Sequence, residues 1–375
     1  MDPSPVTHTQ HVGFSAHTVR LAWILAVAYL LVIVYASLQP FRGWQMPPAE
    51  VLHFLVAPWP HFITLQDVAV NLAAYAPLGL LLSIGFGARY GPARGAGAAA
   101  LAGTLLSLAM ESLQMFLPIR IASNVDLLAN GLGALVGALA ALLLGPTRAL
   151  GARLHAMRHR WFEEGMTADV GFVIVLLWLA TAFHPTAQLF GTGALRATLD
   201  LPAYSAHTPL LAFGGEAVVV MFNLLGVGLL LAALMHSAPR PMLVIGWAVG
   251  AALAVKTFTA VALLQASAPL AWLTPGVAVG LAAGWALLAA AIRLPRSAQF
   301  AIAAACIMIA TVAINLAPDN PYLSVSPRLL ARGASHFLSF SGIVRALSEL
   351  WPLLAVGYLA YALGSQVKNG RRNPL

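Results

Sequence analysis

Asp67, Asn71, Glu111, Gln114, Arg120, Asp126 and Asn130 are the residues of this chain best suited to chemistry. Asp67 and Asn71 are four apart, Glu111 and Gln114 three apart, and Asp126 and Asn130 four apart. Each pair therefore shares one face of a helix. Arg120 lies in the short linker between the second and third pairs, with Pro118 and Ser123. Carboxylates and amides around one guanidinium can hold a polar headgroup, carry a proton or supply a general base. Three carboxylates near one arginine also perturb one another, which leaves room for at least one to stay protonated. A plainer role stands beside this one for Asp67 and Asp126, which suit helix N-termini as caps. Glu111 suits that role less, because it sits inside an apolar run.

The elements that position these residues must be membrane helices. Only 9% of the 375 residues are charged and 60% are hydrophobic, whereas soluble domains carry about 25% charge. Mean hydropathy is +0.83. These values exclude a water-soluble globular enzyme and a disordered chain. Charges inside spans cost about 2.5–3.5 kcal/mol on insertion scales, so those present are functional candidates. Cys306, the single cysteine, allows no internal disulfide and no cysteine-based metal site.

A spanning helix needs roughly 17–25 apolar residues. Ten segments qualify: 21–38, 68–87, 95–116, 125–145, 168–184, 217–235, 242–264, 271–292, 298–316 and 347–363. The fifth has the shortest purely apolar part. Of the twenty Lys and Arg, thirteen fall in one alternating set of connections and six in the other. The richer side is expected to be cytoplasmic, with both termini on it. The net charge of +8 is then mostly topology and gives no reason to expect nucleic acid. The loops 39–67, 185–216 and 317–346 face outward, and the polar pairs converge at the outer ends of helices two to four. Gln39 ends the first helix on the same side. Val34-Tyr35-Ala36 also resembles a signal-peptide cleavage site, but the long run and sparse basic start favour a membrane helix.

Within this frame, residues 67–144 resemble the VanZ-like family of bacterial membrane proteins. Asn71-Leu72-Ala73-Ala74-Tyr75-Ala76-Pro77-Leu78-Gly79 carries the resemblance, with Glu111-Ser112-Leu113-Gln114-Met115-Phe116, Arg120, and Asn124-Val125-Asp126-Leu127-Leu128-Ala129-Asn130-Gly131-Leu132-Gly133. The upstream Tyr35-Ala36-Ser37-Leu38-Gln39-Pro40-Phe41 is similar to that family's first helix exit. The family takes its name from a protein associated with teicoplanin resistance. The resemblance implies an envelope role and no particular reaction. It covers about a third of the chain, and the compact family domain has far fewer helices.

Expected domains are a cytoplasmic tail over 1–20, a VanZ-like four-helix domain over 21–145 and a basic cytoplasmic loop over 146–167. A second membrane unit follows over 168–297, then a C-terminal helix pair over 298–375 with a long outer loop and a cytoplasmic tail. The second unit reads as a degenerate four-helix repeat of the first, because Glu216 and Asn223 open a helix much as Asp67 and Asn71 do. Leu/Ala/Gly helices also resemble one another by composition alone, so both readings stand. Lys256, with Gln265, occupies the place where the first unit has Glu111 and Gln114. It is expected to bind an anionic headgroup, to offset Glu111, or to snorkel to the interface. Residues 327–346 read equally as an interfacial helix and as a plain loop.

Other signals carry less. Gly95-Ala96-Gly97-Ala98-Ala99-Ala100 fits a dinucleotide fingerprint but follows no strand, and its small residues suit close helix packing, as do Gly133 and Gly137. His155 and His159 are four apart among arginines, which reads as a cationic face and not as a metal site. Trp44, Trp59, Trp161 and Trp351 lie near expected span ends, as an interfacial belt would. No H-E-x-x-H, P-loop or G-x-S-x-G is present. No cofactor, metal or catalytic residue is expected.

The leading expectation is a bacterial inner-membrane envelope protein that binds an anionic amphiphile at its outer face. Membrane lipids, a lipid-linked envelope precursor or a glycopeptide antibiotic are the expected partners. The ligand-binding set is Asp67, Asn71, Glu111, Gln114, Arg120, Asp126, Asn130 and Lys256. A secondary transporter or lipid flippase, a membrane enzyme on a lipid-linked substrate, and a scaffold are the alternatives.

Overall fold

The computed structural model describes residues 14–38, 41, 43–47, 50–59, 65–145, 148–183, 189–190, 192–196, 208–236, 238–264, 270, 272–316 and 335–372. Among them lie eleven α-helices: α1 (Ala16–Leu38), α2 (Leu65–Tyr90), α3 (Pro92–Gln114), α4 (Asn124–Leu143), α5 (Ala149–Trp161) and α6 (Met166–Thr181), followed by α7 (Pro209–Ala233), α8 (Pro241–Leu264), α9 (Pro275–Ala291), α10 (Arg296–Leu316) and α11 (Ser335–Arg372). No strand occurs among the described residues, apart from an isolated bridge between Phe162 and Met235. Eight helices are long and apolar enough to cross a membrane, while α6 and α9 are apolar but shorter. All ten expected spans thus fall on helices, and the protein is an all-α polytopic membrane protein. The chain forms two compact units, 1–158 and 159–375, and the division falls within the stretch read as a basic loop.

In the first unit, α2 and α4 run side by side with α3 antiparallel to both. Gly91, at φ +83°, is the one residue between α2 and α3, and Pro92 starts α3 with its φ already set. Only glycine enters that region without strain. A Cβ on Gly133 would strike the Leu72 backbone, and one on Gly137 would strike the Ala76 carbonyl. The two glycines therefore let α4 approach α2 backbone to backbone, as small residues do between membrane helices. Gly95 does the same for α3 against Gly87. The buried face of α3 changes character along its length: Ala96, Ala99 and Gly103 near its start give way to Ser107, Glu111 and Gln114 near its end. On α4 the order is reversed, with Asp126 and Asn130 leading into Gly133, Ala134, Gly137 and Ala138. Because α3 and α4 are antiparallel, both polar ends meet at one end of the unit.

In the second unit, α7 is the centre. It is buried almost all round from Val219 onward, as its continuous apolar composition requires. Gly276, Gly280 and Gly284 recur every fourth residue on α9 and face α7 along Phe213, Ala217 and Met221. Both units thus set a glycine-bearing helix against the helix two before it. Both such helices start on a hydroxyl cap: Ser123 Oγ accepts from the Val125 and Asp126 amides, and Thr274 Oγ1 from Val277. The likeness stops at α8, which touches α7 lightly where α3 packs on both neighbours.

The structure differs from the sequence reading at α5 and at Trp351. The basic stretch 146–167 contains a helix, α5. Residues 327–346, which read equally as a helix and as a loop, contain the start of α11, which runs from Ser335. Trp351 lies near the start of the candidate span Leu347–Gln366 within that helix, yet it is 0% exposed and donates its indole N–H to the Ile174 carbonyl at 2.8 Å. It is a core residue, not part of an interfacial belt.

Candidate functional site

Four helix ends of the first unit meet around Arg120. The last carbonyls of a helix have no intrahelical donor, and α1 ends at Leu38. Arg120 Nη2 donates to the Ala36 carbonyl at 2.9 Å, and Gln114 Nε2 to the Ser37 carbonyl at 3.1 Å. Both side chains reach α1 from the end of α3 and the loop after it. Glu111 Oε2 accepts from the Ser123 amide at 2.9 Å, just ahead of α4. Asn71 Nδ2 donates to Asp126 Oδ1 at 2.7 Å, joining α2 to the first turn of α4. The positive end of the α4 dipole therefore helps to offset both carboxylates.

One turn deeper lies a second polar layer. Asn130 Nδ2 donates to Ser107 Oγ at 2.9 Å. Tyr75, four residues along α2 from Asn71, is buried beside Ser107 and Glu111. Its hydroxyl makes no well-formed hydrogen bond although Ser107 lies beside it, and the Asn130 Oδ1 has no hydrogen-bond partner among the described residues. Buried polar atoms of this kind are costly in a bilayer.

Glu111, Gln114, Asp126 and Asn130 are buried, whereas Arg120 and Asn71 are half-buried. Arg120 is thus the cation that reaches the surface above this network. Burial pulls its guanidinium below the ordinary value, and nearby Glu111 opposes that shift. Asn124 fixes the surrounding loop by donating to the Ala57 carbonyl at 2.9 Å.

Of the eight expected site residues, six meet here. Asp67 lies in the first turn of α2, but its side chain is outside those described, as are Gln39 and Gln265. Lys256 belongs to the second unit, where it is buried on α8. The sequence marked Ser123 and Tyr75 only as members of the linker and of the family-like segment, and Ser107 not at all. Ser107 was legible in hindsight, being four residues before Glu111 on the same face.

The family model described as VanZ/LLP1 matches residues 10–145. The first unit carries a VanZ-like membrane domain. The match takes in α1 to α4 and all six converging residues, and the VanZ-like domain accounts for about a third of the chain. No curated protein and no solved structure matches the sequence. Among the described residues no cluster of His, Cys, Asp or Glu could hold a metal ion.

The second unit has a feature of its own. Leu189, Phe190, Thr192 and Gly193 belong to a non-helical stretch, yet all four are buried. Thr192 Oγ1 donates to Asn223 Oδ1 at 3.4 Å. Asn223 is the fifteenth residue of α7, roughly 21 Å along its axis at 1.5 Å per residue. The stretch is held by Gly193 N–H to the Ser348 carbonyl at 2.8 Å. Asn315 Nδ2 donates to the Gly193 carbonyl at 2.6 Å, and Asn315 Oδ1 accepts from the Leu195 amide at 2.9 Å. Phe190 has φ +54°, a conformation costing on the order of 1–3 kcal/mol for such a residue. Irregular backbone at depth survives only where protein satisfies its polar groups.

Proposed function

We propose that this is a bacterial inner-membrane protein of the cell envelope whose VanZ-like domain binds an anionic amphiphile. The end of the bundle with Arg120 faces outward and both termini are cytoplasmic. The ligand is a lipid-linked envelope precursor or a glycopeptide of the teicoplanin class, and binding contributes to resistance or to envelope polymer assembly.

One observation carries this reading. Arg120 is anchored by a backbone carbonyl and half-exposed, while the neighbouring carboxylates are buried and occupied with donors from the protein. An anionic group arriving at this surface meets the cation first. A guanidinium presents five donors in a fixed fork, a geometry suited to a phosphate or carboxylate at the half-exposed edge of the group. Asn71 is placed to hydrogen-bond polar atoms beside it.

A susceptibility assay with a glycopeptide tests the reading in cells where the wild-type protein confers a phenotype. Arg120→Ala, Glu111→Gln and Asp126→Asn should each reduce it. An unchanged phenotype in all three, at normal expression, removes the site assignment.

Transport or lipid flipping is a second reading, and the buried non-helical stretch around Thr192 supports it. Substrate sites of transporters are often built where backbone is irregular within the membrane. Proton-dependent movement of a labelled lipid in proteoliposomes distinguishes the two.

A further inference from the structure

The helix α5 has no place in the function above. It is 13 residues long, too short to span. It begins six residues after α4 ends at Leu143, so the link reaches at most about 20 Å from that end of the span. Two contacts hold it there. Gly151 is buried against Leu144 and Gly145, where a Cβ would strike their backbone. The His155 ring packs edge-on against Phe14, two residues ahead of α1, at 5.7 Å. Both contacts lie at the end of the bundle opposite Arg120.

A different side of α5 is left uncovered. Leu150, Leu154 and Met157 are 56%, 42% and 36% exposed. Their spacing of four and then three makes them one continuous stripe. Arg153 and Arg160 are exposed, and at seven residues apart they share one edge of that stripe, on the side away from Gly151 and His155. An apolar stripe bordered by arginines, on a helix held at the end of two spans, matches a bilayer surface and not water. The acyl region takes the stripe, and the long arginine side chains reach the phosphates above it. The charge selects anionic lipids, which attract basic segments by about 1 kcal/mol per residue.

We propose that α5 is an interfacial helix that binds anionic phospholipid headgroups, with Leu150, Leu154 and Met157 in the acyl region and Arg153 and Arg160 on the phosphates. This surface is independent of the ligand site at Arg120.

Spin-label depth measurements on the full-length protein test it. Single cysteines are placed in a Cys306→Ala background at Leu150, Leu154 and Met157, and at Ala149, Ala152 and Ala156. The protein is reconstituted in phosphatidylcholine vesicles with about 30% phosphatidylglycerol. Labels at the three stripe positions should be several-fold more accessible to oxygen than those at the alanines, which should instead meet a water-soluble nickel reagent. Replacing Arg153 and Arg160 with Gln, or omitting phosphatidylglycerol, should move the Leu154 label toward water. Equal accessibility around the helix would overturn the interfacial placement. So would a stripe closed to both reagents, which would mean that protein covers it. Unchanged depth without the arginines and without phosphatidylglycerol would overturn the anionic-lipid assignment.

Discussion

Asn71 and Asp126, 55 residues apart in sequence, are joined by a 2.7 Å hydrogen bond that ties α2 to the first turn of α4. The bond sits just beyond the glycine contacts that bring the two helices together. A buried carboxylate needs such a donor. Asn71 thus holds the Asp126 carboxylate in place as well as presenting an amide at the surface.

Asn71→Ala is expected to destabilise the first unit by about 1–3 kcal/mol, the cost of leaving a buried acceptor a donor short. Thermal unfolding of the purified protein in detergent checks this. Asn71→Asp should be worse, because it sets a second carboxylate against the first.

Gly137→Ala and Gly97→Ala should part company. The first places a methyl group on the Ala76 carbonyl, while the second meets nothing within 4 Å. Gly137→Ala should cost about 1–3 kcal/mol through forced separation of the helices. Gly97→Ala should be neutral or stabilising by up to about 1 kcal/mol, since alanine is the better helix former. The same unfolding assay reads both.

Tyr75→Phe removes a buried hydroxyl that lies beside Ser107 without a well-formed hydrogen bond. Stability should hold or rise by about 1 kcal/mol, because the lost group was desolvated without compensation. A clear fall in unfolding temperature would show that the hydroxyl is satisfied in the membrane.

Trp351→Phe removes the indole donor to the Ile174 carbonyl and part of a fully buried side chain. A loss of about 2–4 kcal/mol is expected from the broken bond and the cavity together. Limited proteolysis should show it as faster cleavage within 159–375 than within the VanZ-like domain.

Hydropathy located the eight described helices that are long and apolar enough to span, and the two shorter apolar ones, because a bilayer imposes length and apolarity. The polar face of α3 was legible for the same reason: Glu111 and Gln114 stand out where charge is scarce. Their partners were not, because Ala36 and Ser37 act through backbone carbonyls that any residue would supply. Lys256 was grouped with the first-unit residues through the repeat, as the counterpart of Glu111, and hydropathy alone does not locate its partners. The α5 helix escaped notice because its arginines dominate the composition of the stretch, although Leu150, Leu154 and Met157 hold the helical period. The buried stretch at Thr192 was hidden by its short, glycine-interrupted sequence, which reads as an exposed loop. Its burial depends on Asn223, Asn315 and Ser348, all distant in the chain.

Lipid mass spectrometry on the purified protein tests the central claim most directly, comparing the wild type with Arg120→Gln and Arg120→Ala. Gln keeps a donor for the Ala36 carbonyl but carries no charge, so it separates the cap on α1 from the cation. The account predicts one recurring anionic headgroup class on the wild type, distinct from the bulk phospholipids that α5 holds, that is lost from both variants while Arg120→Gln remains folded. The same anionic class retained on folded Arg120→Gln would contradict it.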